Sequence, residues 1–462
     1  MVRDRNFYKT IFRISLPAAF SSLVSFLVVV ADDIMVSNIS SNAVQDMGKL
    51  AQSAVSQINA LTAFYTATLL GLVSGSGVLI AQYWGKKDVE RIRRIFSMVF
   101  ALSLCVSAVF VLAASLFPRA IASLVIGKEE TEVMKLALEY FAIVCFSYIP
   151  YAVTNSLTGM LRSVEVVRIT LYVSVCSLIM NIVLNYAFIF GFAFIPPMGV
   201  KGAAIATVIT RIIEMLIVCV YTFRVQKVID FGIKKLFCFD RLLFKDYVRY
   251  GLPVGFTDMQ WALVGMMKAA IIGQMGAVFI SANSITNSMM NLGTMFTFAL
   301  AGGACVVVGK AVGRGDIETA KEYSKTIQIM FAGIAVVMAA VVFLLRNPFA
   351  RLYGSARADE SVFELATLMI AIGAATLLGT SYHAACFVGI NRGAGDSRFV
   401  TKVDMICGWL VVLPLTFLAA FVFKWPLWAV FLMTRIDQCF KWIIAFIRLR
   451  GDKWIRNVTR DN

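Results

Sequence analysis

Apolar residues run along this chain in long blocks separated by short polar connections. Blocks long enough to cross a bilayer as helices, about 20 residues or more, fall near 11–36, 51–83, 95–116, 136–160, 169–191 and 202–223. A second set falls near 248–273, 281–309, 324–345, 362–388, 400–422 and 427–447. The pattern predicts an all-α polytopic membrane protein with twelve transmembrane helices. Between the sets lies "VQKVIDFGIKKLFCFDRLLFKDYVRYGLP", basic and partly amphipathic, which reads as an interfacial link. The expected division is therefore an amino-terminal lobe over 1–224, a cytoplasmic linker over 225–246 and a carboxyl-terminal lobe over 247–462.

Composition agrees with a membrane class. Of 462 residues, 60% are hydrophobic and 15% charged, with a mean hydropathy of +0.80; soluble domains are nearer a quarter charged. The start, "MVRDRNFYKTIFRISLP", resembles the basic region of a signal peptide. No small-residue cleavage site follows and the apolar run continues, so it reads as a retained first transmembrane helix.

The net charge of +16 at first suggests a nucleic-acid partner, but its distribution argues for topology instead. Of the 43 Lys and Arg residues, 30 fall on the tails and on the loops after even-numbered spans, and 9 on the loops after odd-numbered spans. By the positive-inside rule both termini are cytoplasmic and the protein is a multi-pass protein of the cell (inner) membrane. No nucleic-acid partner is expected. The nine cysteines form no CxxC pair, so neither a zinc site nor a disulfide framework is implied.

The two halves resemble each other. "RISLPAAF" before span 1 answers "RYGLPVGF" before span 7, "VLIAQYWGKKDVERIRR" answers "VVVGKAVGRGDIETAKE", and "GMLRSVEVVR" answers "GINRGAGDSR". Even numbers of spans per half give a pseudo-two-fold axis along the membrane normal, an arrangement that recurs in secondary transporters. No GxxxxGK[ST] motif points to an ATP-driven pump.

Ionisable and polar residues inside spans are the candidates for chemistry. In "VVVADDIMVS", Asp32 shares a helix face with Ser21 and Ser25, whereas Asp33 points about 100° away. Asp32 either faces a polar cavity or marks the extracellular end of the span; Asp33 reads as a rim residue. Span 5 carries Ser174, Ser177, Asn181 and Asn185 on one face. Its amides can offer carbonyl oxygens to a cation or can bond neighbouring helices. With Asp32 they suggest a shared site.

In span 8, Asn283, Asn287, Asn291 and Thr294 share a face, and with Met259 and Met289 they could line an adaptable wall for varied ligands. Fifteen residues after Pro17 stands Asp32; fifteen after Pro253 stands Lys268. Lys268 can snorkel, pair with Asp404 or Asp437, or meet a substrate. His383 can titrate near neutral pH or pack as a neutral ring. Arg211 and Glu214, one turn apart, can neutralise each other. No catalytic set suggests an enzyme.

These pieces together resemble the multidrug and toxic compound extrusion (MATE) family of cation-coupled exporters. The resemblance covers nearly the whole chain and is carried by "LPAAFSSLVSFLVVVADDIMVS", by "NIVLNYAFIFG…MGVKGAAIATVITR" and by the paired loops after spans 2 and 8. It implies two six-helix lobes forming a V, alternating access, and a cation site in the amino-terminal lobe. The family's span-1 aspartate matches Asp32, its span-5 polar pair matches Asn181 and Asn185, and its span-6 threonine matches Thr207. The sequence departs from the family at Asn185, acidic in some relatives, and at Asp33 and Ser37. The carboxylates of a second cation site in one branch are replaced by Trp261 and Ser381.

The expected function is a cation-coupled antiporter, driven by H⁺ or Na⁺, that exports small organic compounds of cationic or amphiphilic character. Asp32, Asn181, Asn185 and Thr207 would couple the cation, with Na⁺ possible at the first three. Pro17, which leaves a backbone acceptor unpaired, would let span 1 bend. Ser21, Ser25, Asn283, Asn287, Asn291, Met259, Met289 and Lys268 would line the substrate path. No cofactor beyond the coupling ion is expected, the partners are the substrates and the lipid bilayer, and a monomer is expected. The rival is a lipid-linked oligosaccharide or lipid-precursor flippase of the same superfamily, which needs a strongly cationic cavity.

Overall fold

Helix formation follows the apolar blocks in the computed structural model, and no strand occurs among the described residues. The structure describes residues 2, 5–37, 39, 47–126, 131–192, 196–226, 229, 239–353 and 359–460, except the side chains at 33, 37 and 49. The side chain of Asp33, expected at the rim, and half of the 225–246 linker therefore lie outside the described residues.

The first half supplies α1 (Arg5–Ser37), α2 (Met47–Lys86), α3 (Val89–Leu116), α4 (Thr131–Ser163), α5 (Arg168–Phe190) and α6 (Val200–Val225). The second supplies α7 (Leu252–Gly273), α8 (Ala277–Gly313), α9 (Ile317–Ala350), α10 (Glu360–Asn391), α11 (Ser397–Val422), α12 (Leu427–Met433) and α13 (Asp437–Arg450). Ten helices among the described residues are long and apolar enough to cross a membrane. The expected spans over 248–273 and 427–447 are not among them. Helix α7 carries Thr257, Asp258, Gln260 and Lys268, and the 427–447 segment breaks between Met433 and Asp437 into α12 and α13.

The packing of α5 is inverted relative to a soluble helix. Its buried positions include Ser177, Asn181 and Asn185, while Ile179, Val183 and Tyr186 are more than half exposed. Apolar side chains outward and polar ones inward suit a lipid solvent, where an unsatisfied polar group costs several kcal/mol.

The chain packs as two units. One comprises Phe20–Ser76 and Val89–Lys245; the other comprises Met1–Ala19, Gly77–Asp88 and Asp246–Asn462. This differs from the expected 1–224 and 247–462 lobes at the starts of α1 and ends of α2, which pack with the later half of the chain. Glycines and one glutamine account for the second case. A Cβ on Gly313 would sit 2.0 Å from the Gln82 carbonyl oxygen, and one on Gly85 would sit 2.3 Å from that of Lys310, so only glycine lets α2 and α8 cross this closely. Gln82, fully buried, donates Nε2 to the Gly393 carbonyl and accepts from the Val458 amide. Within α1 the division falls just after Pro17, through which the helix runs without interruption.

Candidate functional site

Within the unit built from Phe20–Ser76 and Val89–Lys245, helices α1, α2, α4, α5 and α6 surround a cavity of about 530 Å³. Ser21, Ser25 and Asp32 face it from α1, so the stripe read from the sequence is the lining of one wall. Ser174 and Ser177 of α5 and Thr207 of α6 line it too.

Helices α1 and α5 run side by side in parallel register. Ser21 and Ser174 hydroxyls lie 2.5 Å apart, and eleven residues further along both helices the Asn185 amide donates to Asp32 Oδ1. The rise of 1.5 Å per residue puts these contacts about 16 Å apart along the helices. Asn185 Nδ2 also donates to Asn181 Oδ1 at 3.1 Å. Asn181 and Asn185 are buried behind Asp32 rather than lining the cavity, and Asn185 Oδ1 has no hydrogen-bond partner among the described residues. Thr207 bonds back to the Ala203 carbonyl at 2.9 Å. The structure thus brings Asp32, Asn181 and Asn185 together and places Thr207 on the same cavity.

Across the cavity stand residues that the sequence pattern did not single out. Tyr65 and Tyr148 stack with ring centroids 4.2 Å apart, and Tyr148 meets Thr62 through their hydroxyls at 3.1 Å. Asn59, Tyr140 and Tyr151 add polar edges. Arg211 and Glu214 do neutralise each other, at 2.8 Å, with the Arg211 guanidinium 5.1 Å from the Tyr151 ring centre and within electrostatic reach of Asp32. Arg162, counted from sequence as a loop charge, stands on the last turn of α4 and lines the cavity. The charged lining is Asp32, Glu214, Arg162 and Arg211, two of each sign.

Asn283, Asn287, Asn291, Met259, Met289 and Lys268 belong to the other unit. Met289 is a correction: it is buried in the apolar core with Ile285, Met290, Met369 and Leu377, where it fills space and lines no described cavity. Asn287 and Asn291 are exposed and Asn283 is half-buried. Lys268 Nζ donates to the Thr434 carbonyl at 3.4 Å. The partner of Asp404 and Asp437 is instead Lys441, at 2.7 and 3.0 Å, with all three buried. Its ammonium lies 4.3 Å from the centre of the Trp261 ring. Ser381 is buried against Thr297 at 3.4 Å, and His383 packs with Nδ1 3.1 Å from the Gly379 carbonyl. Among the described residues no group of three His, Cys, Asp or Glu side chains could hold a metal ion.

The MatE family model matches residues 17–187 and 253–418. The chain is 24% identical over 432 residues to an uncharacterized transporter, YisQ, of Bacillus subtilis, covering 92% of this chain and 90% of that one. It is 26% identical over 354 residues to a probable multidrug resistance protein NorM of Halalkalibacterium halodurans, covering 76% of each. Its fold matches the crystal structure of a MATE protein in complex with MaL6 with a TM-score of 0.83, at 21% identity, over 96% of this chain and 95% of that one. Two matched segments, one in each half, and helices that turn polar faces onto an internal cavity agree on one assignment: the chain belongs to the MATE family of membrane transporters.

Proposed function

We propose that this protein is a cation-coupled antiporter that exports small organic compounds by alternating access, with Asp32 as the coupling carboxylate. One observation carries the reading: Asp32 opens onto a 530 Å³ cavity while Asn185, buried behind it, donates its amide to the carboxylate. The parallel repeat supports two six-helix lobes spanning the membrane twelve times, and the lysine and arginine distribution supports cytoplasmic termini in the cell membrane.

The physical cycle turns on one amide. While Asp32 is ionised, Asn185 Nδ2 faces it, a charge-assisted contact. When a cation neutralises the carboxylate, that contact loses its charge assistance, and Asn185 Oδ1, which has no partner among the described residues, offers an acceptor that the ionised state could not use. A proton then gives an Asp32 hydroxyl that donates to Oδ1; Na⁺ takes Oδ1 and the carboxylate as oxygen ligands, with Asn181 Oδ1 within the same cluster. Either change repacks α1 against α5. Above this contact the helix can swing about Pro17, whose missing N–H leaves one turn of backbone without its hydrogen bond. An organic cation held by the ionised Asp32 and the tyrosine faces loses its charge partner on the same event, so cation entry and substrate exit exclude each other. One charge crossing 100 mV supplies about 2.3 kcal/mol to this exchange.

The multidrug resistance relatives support drug-like substrates. The balanced charge of the cavity disfavours a flippase for lipid-linked pyrophosphates, which needs a strongly cationic one. Purified protein in liposomes, loaded with a fluorescent organic cation and given H⁺ or Na⁺ gradients separately, tests the reading. One gradient is expected to drive accumulation of dye; no response to either gradient refutes it.

A further inference from the structure

Helices α9 and α13 both pack on α10, and an open groove of about 830 Å³ lies along the three. Small residues make the space: Ala332 of α9 and Ala375 and Gly379 of α10 line it with side chains too short to fill it. Gly379 also lets α13 settle onto α10, since a Cβ there would sit 1.9 Å from the Gln438 carbonyl oxygen. Trp442 and Phe446 line it from α13. The polar side chains of the lining already bond to protein. Thr376 donates to the Gly373 carbonyl, Tyr382 to Gln328 Oε1, Gln438 Nε2 to Asp437 and Trp442 Nε1 to the Cys439 carbonyl, all within 2.9 Å. What the groove offers a ligand is hydrocarbon surface.

Its length matches one leaflet. Along α10 the lining runs from Ile372 to Tyr382, ten residues and about 15 Å at the helical rise. That is half of a hydrocarbon core of roughly 30 Å. Helices α9 and α10 are long and apolar enough to cross a membrane, and Val336 in the lining and Ile447 beside it on α13 are more than half exposed. The solvent on this side of the unit is lipid, and an acyl chain is the hydrocarbon of that length.

One end of the groove is positively charged. Lys321, in the second turn of α9, lies 3.0 Å from Asp452, two residues past the end of α13, so the start of one helix and the end of the other come together there. Lys325 stands seven residues before Ala332 and eleven before Val336, within about 20° of both around the α9 axis. Arg450 stands one turn beyond Phe446, with its guanidinium 4.5 Å from the centre of that ring. Both side chains are exposed, and neither forms an ion pair among the described residues, although Glu322 stands three residues before Lys325. Two unpaired cations therefore flank the end of an apolar groove one leaflet long.

We propose that this groove binds one anionic phospholipid, with an acyl chain along α9, α10 and α13 and the phosphate at Lys325 and Arg450. By the lysine and arginine distribution that lipid belongs to the cytoplasmic leaflet. Basic side chains at the membrane surface attract anionic headgroups, and the apolar lining holds the chain. The site lies apart from the Asp32 cavity and does not depend on the exporter reading.

The test places the purified full chain in phosphatidylcholine nanodiscs with a trace of phosphatidylglycerol or phosphatidylcholine carrying a diazirine in one acyl chain. Photo-crosslinks are then mapped by peptide mass spectrometry. They are expected to concentrate on the groove, with phosphatidylglycerol labelling it about tenfold more than phosphatidylcholine, the scale of two basic contacts at a membrane surface. Lys325→Gln combined with Arg450→Gln is expected to bring that ratio close to one and leave phosphatidylcholine labelling unchanged. Ala332→Phe combined with Ala375→Phe puts rings into the groove from two exposed positions. This pair should remove groove labelling by both lipids while labelling of the exposed face of α5, at Ile179 and Val183, stays as it was. Groove labelling no stronger than that of α5 in the unaltered protein overturns the proposal. So does equal labelling by the two lipids, a ratio that survives loss of both charges, or labelling that survives the filled groove. A dimer in native mass spectrometry that the filled groove dissociates would make a second copy of the chain the occupant, and also overturns it.

Discussion

Asn185 gives its side-chain amide to Asp32 across the α1–α5 contact, and the same amide holds Asn181. A single NH₂ group thus ties the cavity's exposed carboxylate to a buried amide pair. Replacing Asn185 by Val keeps the volume close but removes both bonds. A hydrogen bond to a charged group contributes about 1.5–3 kcal/mol, so gradient-driven dye transport in liposomes should fall at least about tenfold. Unchanged transport in Asn185→Val would show that the amide takes no part.

Lys441 bridges Asp404 and Asp437, and all three are buried. Lys441→Met leaves two buried carboxylates without it, and breaking such a pair destabilises by about 3–5 kcal/mol. Thermal unfolding in detergent should drop sharply for the single variant. The triple variant Lys441→Met, Asp404→Asn, Asp437→Asn should recover part of the loss, because neither carboxylate is left ionised without Lys441, while Lys268 and Arg435 lose the nearby charge of Asp437.

The crossing of α2 and α8 gives a second stability prediction. Gly313→Ala places a methyl 2.0 Å from the Gln82 carbonyl oxygen, backbone that cannot rotate away. Overpacking of this kind costs about 1–3 kcal/mol. A lower unfolding temperature than the unaltered protein is expected, with Gly333→Ala, whose added methyl meets nothing within 4 Å, as the control.

Asp316 caps α9 by accepting from the Thr319 amide at 3.1 Å. The Thr319 contacts hold its carboxyl below the ordinary carboxylate range. A depressed folded-state value means the cap contributes above the unfolded value near 3.8 and is lost as pH falls through the folded one. Asp316→Ala should cost about 1 kcal/mol at neutral pH. The difference between the two proteins should shrink toward zero in strong acid, as followed by thermal unfolding.

Much of this site was legible because helix periodicity is a strong signal. Ser21, Ser25 and Asp32 recur at helical spacing, as do Ser174, Ser177, Asn181 and Asn185, and the structure lays these two stripes against each other. Arg162 was not legible in the same way. A basic residue at the end of an apolar block looks like a loop charge, and only the packing of α4 against the cavity shows otherwise. Tyr65, Tyr148 and Tyr151 likewise read as ordinary helix residues until tertiary contact stacks Tyr65 on Tyr148 and brings Tyr151 to 6.1 Å from Tyr65, ring centre to ring centre. Met289 failed in the other direction, since a methionine on a polar helix fits a ligand wall and an apolar core equally well. The 427–447 block looked like one span; its helix breaks next to buried Asp437, where the Lys441 cluster begins.

The role of Asp32 is tested most directly by the Asp32→Asn variant in liposomes, with dye accumulation measured under an imposed H⁺ or Na⁺ gradient. The amide keeps the shape and removes the charge. Loss of gradient-driven accumulation, with the protein still folded and still exchanging dye in the absence of a gradient, is the expected result. Full gradient-driven accumulation by Asp32→Asn would contradict the assignment of this carboxylate as the coupling group.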